Sequence, residues 1–153
     1  MTSLEYPTQR TQDILVPVDG NQSAFDALAL ACTISRQNKG TVYAVSIIEV
    51  ARTMALDAEL EADASGAETL LQKAEQIASD TGCKIEGEIL QARDAGHAIV
   101  DESIERGVSA IFLGVDYKMP LGEFEMGETV SYVMDHAPCQ VILVREAARG
   151  VGE

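Results

Sequence analysis

The most informative part of this sequence is Gly114-Val-Asp-Tyr-Lys-Met-Pro-Leu-Gly-Glu-Phe-Glu-Met-Gly127-Glu-Thr-Val-Ser-Tyr-Val. The apolar run that ends at Gly114 predicts a buried strand, and the residues from Gly127 to His136 predict a helix that begins on a glycine. A loop joins the two. Because backbone N–H groups at a helix start can hold an anion, this arrangement predicts a loop of the phosphate-binding type.

The stretch resembles the C-terminal signature of the universal stress protein family. Nucleotide-binding members of that family carry Gly, two residues, Gly, nine residues, and then Gly followed by Ser or Thr. Gly114 and Gly127 occupy the first and third glycine positions, whereas Tyr117 replaces the second glycine and Glu128 replaces the hydroxyl residue. A side chain at position 117 hinders close approach of a phosphate. The resemblance therefore implies an impaired ATP phosphate loop.

Glu128 has two interpretations. A carboxylate repels phosphate, since two unit charges about 4 Å apart interact by roughly 4 kcal/mol at an effective dielectric constant near 20. The alternative is structural, because an acid in the first helical turn stabilises the helix dipole by about 0.3–1 kcal/mol. Both interpretations disfavour a bound triphosphate. They leave open whether a monophosphate or a ligand that carries a cation uses the loop, where Lys118 is the nearby basic residue.

Apolar runs alternate with helical patterns along the chain, which predicts a parallel sheet covered by helices on both faces. We expect a single three-layer α/β/α sandwich. The predicted strands are 13–19, 41–48, 84–91, 108–115 and 138–145, and the predicted helices are 24–37, 56–81 with a possible interruption at Gly66, 98–106 and 127–136. The resemblance implies a five-stranded sheet of order 3-2-1-4-5, of the adenine nucleotide alpha hydrolase-like type. We expect a flexible arm over 1–11, the domain over 12–146 and a tail over 147–153.

The resemblance extends from Ile14 to Arg145 and implies where a nucleotide would bind. It is carried by Leu15-Val-Pro-Val-Asp-Gly20 with Ser23, by Val45-Ser-Ile-Ile-Glu49 and by Gly96-His-Ala-Ile99. In nucleotide-binding relatives the equivalents of these first two segments line the adenosine pocket, and the loop and last helix meet ribose and phosphates. The implied binding residues are Pro17, Val18, Asp19, Ile47, Gly114, Asp116, Lys118, Gly127, Glu128, Thr129 and Val130. Asp19 is equally explained as a turn former or helix cap.

Charge and hydropathy narrow the possible partners. The chain carries 25 acidic and 11 basic residues, a net charge of −14, which repels nucleic acid and anionic lipid. We therefore expect no nucleic-acid binding. The absence of a long apolar run and the polar N-terminus predict no membrane insertion, no secretory signal and a cytoplasmic location. The acidic excess also suits a salt-rich cytoplasm.

Catalytic and metal-binding motifs are absent from the sequence. Cys32, Cys83 and Cys139 lie far apart, and none has metal-ligand spacing with His97 or His136. Each cysteine lies in or beside an apolar run, so packing is favoured over redox sensing. The histidines are predicted to lie at helix ends. No nucleophile and base stand at a recognisable spacing, so we expect no enzyme activity.

The apolar segment from Gln140 to Arg145 predicts an exposed sheet edge. Family members commonly pair this strand across a twofold axis, so the resemblance implies a homodimer; the alternative is that the C-terminal residues fold back over the edge.

The first hypothesis for function is a non-enzymatic regulatory homodimer in stress response, which requires no cofactor and acts on an unknown protein partner. The second is a sensor that binds AMP or ATP, such as a transporter accessory. The third is a slow nucleotide hydrolase.

Overall fold

The structure is a computed structural model that describes residues 11–117, 122, 124 and 126–148. Lys118 and most of the predicted arm and tail lie outside the described residues. The strands are β1 (Ile14–Pro17), β2 (Thr41–Glu49), β3 (Lys84–Ala92), β4 (Ala110–Val115) and β5 (Gln140–Arg145). The helices are α1 (Gln22–Gln37), α2 (Glu61–Thr81), α3 (Ala95–Arg106) and α4 (Glu128–His136).

The five strands form one parallel sheet in the order β3-β2-β1-β4-β5, which confirms the predicted topology. Ile14 of β1 pairs with Val42 of β2 on one side and with Ala110 of β4 on the other. The shortest strand therefore lies at the centre. Because β1 is followed along the chain by β2 but borders β4 on its other side, the order of the sheet reverses at the β1/β4 boundary.

Alternating side chains of the strands fill a separate hydrophobic core on each face of the sheet. The first core joins Ile14, Val16 and Phe112 to α1 and α2. The second core joins Leu15, Val45 and Ile111 to α3 and α4, and several of its members also line the candidate site. Within the described part of the chain, no helix combines the length and the apolarity needed to cross a membrane.

The predicted start of the long helix near Leu56 is wrong, because α2 begins at Glu61. The Gln91 side-chain amide donates hydrogen bonds to the carbonyl oxygens of Leu56 (2.8 Å) and Ala58 (3.0 Å). These contacts with β3 hold residues 51–60 as a connection of turns. The helix then continues through Gly66 without interruption.

α3 begins three residues earlier than predicted, at Ala95 rather than Ala98. Asp94 has extended backbone geometry, and its side chain accepts a hydrogen bond from the His97 backbone N–H at 3.0 Å. An aspartate that receives this hydrogen bond is a favourable N-cap, so the helix begins directly after it. The remaining boundaries differ from the predictions by a few residues at the element ends.

Candidate functional site

The site lies beyond the carboxyl ends of the strands, where the sheet order reverses. The Val18 N–H donates to the Val45 carbonyl oxygen at 2.8 Å, so the chain stays tied to β2 after β1 has ended. Asp19 then forms a turn, because its Oδ1 accepts from the Asn21 N–H at 2.9 Å. Of the two structural explanations for Asp19, the turn former is the one observed.

Two adjoining cavities open at this position. The first, which we call the loop cavity, has a volume of about 280 Å³ and is lined by Asp19, Asn21, Gly114, Val115, Asp116, Met126, Gly127, Glu128, Thr129 and Val130. The second, the inner cavity, has a volume of about 290 Å³ and is lined by Pro17, Val18, Asp19, Ala24, Val45, Ile47, Glu49, Ala95, Ile99, Leu113, Gly114, Thr129 and Val130. Small-molecule sites range from about 300 to 1,000 Å³, so each cavity alone is small and the pair has the size of a ligand site.

Gly114 lies where β4 passes under the first turn of α1. A Cβ atom at this position would lie 2.2 Å from the Ser23 carbonyl carbon and 2.3 Å from the Ala24 nitrogen. Close by, the Ser23 hydroxyl donates to the Asp116 carboxylate at 2.6 Å. The first glycine of the motif is therefore required by helix packing, and Asp116 is partly engaged by Ser23.

Gly127 begins the helix that forms one wall of the loop cavity. Its φ of 87° and ψ of 165° fall in a region that essentially only glycine occupies. Among the described residues, no side chain caps the N-terminus of α4, and the acid in its first turn is Glu128. The first turn of α4 therefore places a carboxylate beside its backbone N–H groups, in place of the hydroxyl expected for a phosphate site.

The described wall of the loop cavity is negatively charged. Asp19, Asp116 and Glu128 contribute carboxylates to its wall, and no lysine or arginine is among its described lining residues. An anion in this cavity would face three acids, whereas a neutral group would not be repelled.

Tyr117 does not line either cavity. Its ring stacks on Phe124 with the centroids 5.6 Å apart, and the Arg145 guanidinium lies 4.6 Å from the Tyr117 ring centroid. The Tyr117 N–H donates to the Glu146 carboxylate at 2.8 Å. These contacts hold Tyr117 against the end of β5, so its ring leaves the inner cavity open.

The structure brings together every described residue that the sequence predicted for the site. The loop cavity contains Asp116, Gly127 and Glu128, the inner cavity contains Pro17, Val18 and Ile47, and both contain Asp19, Gly114, Thr129 and Val130. Lys118 lies outside the described residues.

Sequence reasoning missed Glu49 and the α3 residues Ala95 and Ile99, which line the inner cavity. The alternation of side chains along a strand could have found Glu49, because it is two residues beyond Ile47 and therefore faces the same side of the sheet.

The cysteines pack as expected. Cys32 is buried in the first core, and Cys83 and Cys139 are half-buried. Burial raises the pKa of all three thiols, that of Cys83 to about 12. At neutral pH they are therefore protonated, the less reactive state. Among the described residues, no group of three or more His, Cys, Asp or Glu side chains could hold a metal ion.

The two histidines lie at helix ends and sandwich one aromatic ring. The His97 and His136 ring centroids each lie 4.0 Å from that of Tyr132. Gly96 permits this contact, since a Cβ atom there would lie 3.0 Å from the Tyr132 side chain. The stack joins α3 to α4 and thereby helps to fix the helix start beside the loop cavity.

The fold and the position of the cavities define a class: α/β proteins with a ligand cleft at the switch point of a parallel sheet. A sequence profile of the universal stress protein family matches residues 10–145. The chain belongs to this family.

Individual relatives agree with the assignment. The chain is 26% identical to a universal stress protein of Methanocaldococcus jannaschii over 139 residues, which are 87% of this chain and 81% of that protein. The structure of a universal stress protein from Archaeoglobus fulgidus superimposes with a TM-score of 0.75 at 26% identity and covers 87% of this chain and 98% of its own. A second structure, of the universal stress protein from Archaeoglobus fulgidus in complex with dAMP, gives a TM-score of 0.71 at 22% identity over 88% and 98% of the two chains.

Proposed function

We propose that this protein is a non-enzymatic regulatory protein in stress response, that it acts as a homodimer on a protein partner, and that its phosphate loop no longer holds ATP. The observation that carries the proposal is the loop cavity, whose wall includes three carboxylates where a polyphosphate would lie. Glu128 is the decisive one, because it stands in the first turn of α4 in place of a hydroxyl donor. A carboxylate offers a phosphate oxygen no hydrogen bond and repels it.

A second candidate function is a sensor for an adenine nucleoside or its monophosphate. It is favoured by the inner cavity, whose lining side chains are mostly aliphatic and which is open because Tyr117 is stacked elsewhere. The structural relative from Archaeoglobus fulgidus that was solved with dAMP has the same fold. An adenosine group that binds between Ile47 and Ile99 does not need a phosphate loop that holds a triphosphate. The regulatory role and the sensor role are compatible if the ligand controls the partner.

Calorimetric titration of nucleotide-free protein with AMP and with ATP plus Mg²⁺ tests the phosphate loop. We expect ATP to bind no more tightly than AMP. The variant Glu128→Ser restores the hydroxyl and removes one charge, so it should strengthen ATP binding about tenfold relative to AMP. The matched control is Asp135→Ser, which removes the same charge from the other end of α4 and should leave the ratio unchanged.

The outcomes separate the candidates. Wild-type protein that binds ATP at least tenfold more tightly than AMP would show that the loop is intact, and the proposal would be wrong. Binding of AMP without a gain from the triphosphate supports the sensor. If neither nucleotide binds at millimolar concentration, the sensor is excluded and regulation through protein contacts alone remains.

A further inference from the structure

The inner cavity has one ionisable side chain on the wall formed by β2 and α3. Along β2, Val45, Ile47 and Glu49 are two residues apart, so their side chains face the same side of the sheet. All three line the inner cavity, together with Ala95 and Ile99 of α3. The side chains of this wall are therefore aliphatic, except for the Glu49 carboxylate at the end of β2.

The Glu49 carboxylate is held in place by α3. Its Oε2 accepts a hydrogen bond from the Ala95 backbone N–H at 3.1 Å, at the first residue of that helix. Among the described residues, Oε1 makes no further hydrogen bond. One carboxylate oxygen is thus fixed by the backbone, and the other is available to a ligand. A carboxylate only accepts hydrogen bonds, so the group that it binds must be a donor.

The position of the two cavities orients a bound nucleoside. The residues common to both cavities are Asp19, Gly114, Thr129 and Val130, which mark the junction with the loop cavity. The ribose lies toward that junction, because its hydroxyl groups can donate hydrogen bonds to the Asp19 carboxylate, which lines both cavities. The base then lies on the other side of β1, against β2 and α3, because the sheet order puts β2 on the side away from β4. Glu49 belongs to this base end.

We propose that Glu49 is the residue that reads the base: its carboxylate accepts a hydrogen bond from an exocyclic amino group, so that the site selects an aminopurine such as adenine over an oxopurine such as hypoxanthine. The inference rests on the sensor candidate. Adenine presents a donor at its 6-position, whereas hypoxanthine presents an acceptor there that a carboxylate repels. Glu49 is exposed at the rim, so we expect a preference of about tenfold, at the lower end for hydrogen bonds to charged groups.

The test compares AMP with inosine monophosphate, which carries an oxygen in place of the 6-amino group. Wild-type protein should bind AMP about tenfold more tightly in calorimetric titration. In Glu49→Gln the amide oxygen still accepts from Ala95 while the amide nitrogen can donate to a 6-oxo group. The preference should then fall to about threefold or less, through tighter binding of inosine monophosphate.

The matched control is Glu68→Gln, the same change at an exposed position of α2 that lines neither cavity. It should keep the wild-type preference, and thermal unfolding should show that both variants are folded. If Glu49 only caps α3, wild-type protein and Glu49→Gln will have the same AMP preference, which overturns the inference while the sensor stands. If wild-type protein binds neither nucleotide, the sensor and the inference fall together.

Discussion

At Gly114 the backbone of β4 passes so close to α1 that a Cβ atom would lie 2.2 Å from the Ser23 carbonyl carbon. The contact is backbone against backbone, and no side-chain rotation can relieve it. We predict that Gly114→Ala lowers the free energy of unfolding by about 2–3 kcal/mol, as other overpacking substitutions do. Urea denaturation measures the loss. Gly20→Ala is the control, because a Cβ atom there meets nothing within 4 Å, and it should change stability by less than about 0.5 kcal/mol. Equal effects of the two substitutions would contradict this account of Gly114.

The residues of the site differ in how far the sequence could predict them. The motif identifies Gly114 and Gly127, and it identifies Glu128 as a departure from the family pattern. The position of the Tyr117 ring could not be predicted from the sequence, because it depends on Phe124 and Arg145, which come together only in the folded chain. The packing reason for Gly114 is equally hidden, since Ser23 is distant in the sequence. Local spacing predicts which residues reach the cleft, but long-range contacts determine which side chains enter it.

The second half of α3 is anchored to the sheet by Arg106. Its Nε donates to the Glu102 carboxylate at 2.6 Å, a second nitrogen donates to Glu88 of β3, and its guanidinium lies 4.5 Å from the Tyr43 ring centroid. The Glu102 side chain is only 11% exposed, so loss of its partner leaves a charge largely shielded from water.

We predict that Arg106→Ala lowers the free energy of unfolding by about 2–3 kcal/mol, somewhat less than the roughly 3–5 kcal/mol typical when a fully buried pair is broken. Chemical denaturation at neutral pH measures the effect. The neighbouring substitution Glu105→Gln, at an exposed position of the same helix, should have an effect within about 0.5 kcal/mol. A loss for Arg106→Ala as small as that of the control would mean that these ion pairs contribute no more than a surface pair.

The first turn of α3 should make the stability of the folded protein depend on pH. Asp94 accepts from the His97 N–H at 3.0 Å and faces the His97 Nδ1 at 2.8 Å, and these contacts with His97 lower the pKa of the Asp94 carboxyl. Because the folded pKa lies below the unfolded value of about 3.9, the contribution to stability is present above that value and is lost as the pH falls through the folded pKa.

Asp94→Asn keeps a capping oxygen but cannot ionise. Its stability deficit relative to wild type should therefore be largest near neutral pH and should shrink between about pH 5 and about pH 3. Urea denaturation across that range measures the difference. A deficit that stays constant with pH would show that the carboxylate charge contributes nothing.

Elements with strong periodicity were predicted well, whereas boundaries set by tertiary contacts were not. The apolar runs of β2, β4 and β5 needed no partner to be recognised. The turns over residues 51–60 have a composition compatible with a helix, and the hydrogen bonds from the Gln91 side chain of β3 show why the helix begins later. The start of α3, in contrast, could have been predicted from the sequence, because Asp94 is a favourable N-cap. Gly96, two residues later, does not prevent the helix, because the helix packs on Tyr132 at that position.

The sheet of the whole molecule ends in two unequal edges. Strand β5 is half-exposed and apolar from Val141 to Val144, whereas the first half of β3 carries charged residues. Long apolar edges invite pairing with a second chain, and charged ones resist it.

Each chain has a net charge of −14, so a dimer must overcome like-charge repulsion, which salt screens. The proposed dimer should therefore become tighter, not weaker, between about 0.1 and 1 M NaCl.

The hydrogen bonds of the two edges provide a matched test. The Glu146 N–H donates to Val115 of β4, and N–H groups alternate in direction along a strand, so the Val141 N–H points outward. On β3, the Ala92 carbonyl oxygen accepts from the Val50 N–H and therefore points toward β2. Because direction alternates from residue to residue and Ile85 is seven residues earlier, the Ile85 N–H points outward. Proline at an outward position removes an edge donor without breaking the ladder inside the sheet.

We predict that Val141→Pro is monomeric in sedimentation equilibrium at concentrations where wild-type protein and Ile85→Pro are dimers. Circular dichroism should show that both proline variants retain the fold, because each substitution replaces a half-buried side chain at an edge and leaves the central strands intact. If Ile85→Pro is the variant that dissociates, the dimer is built on β3. If wild-type protein is monomeric even at 1 M NaCl, the half-exposed β5 edge does not mediate self-association, and the regulatory unit is a single chain.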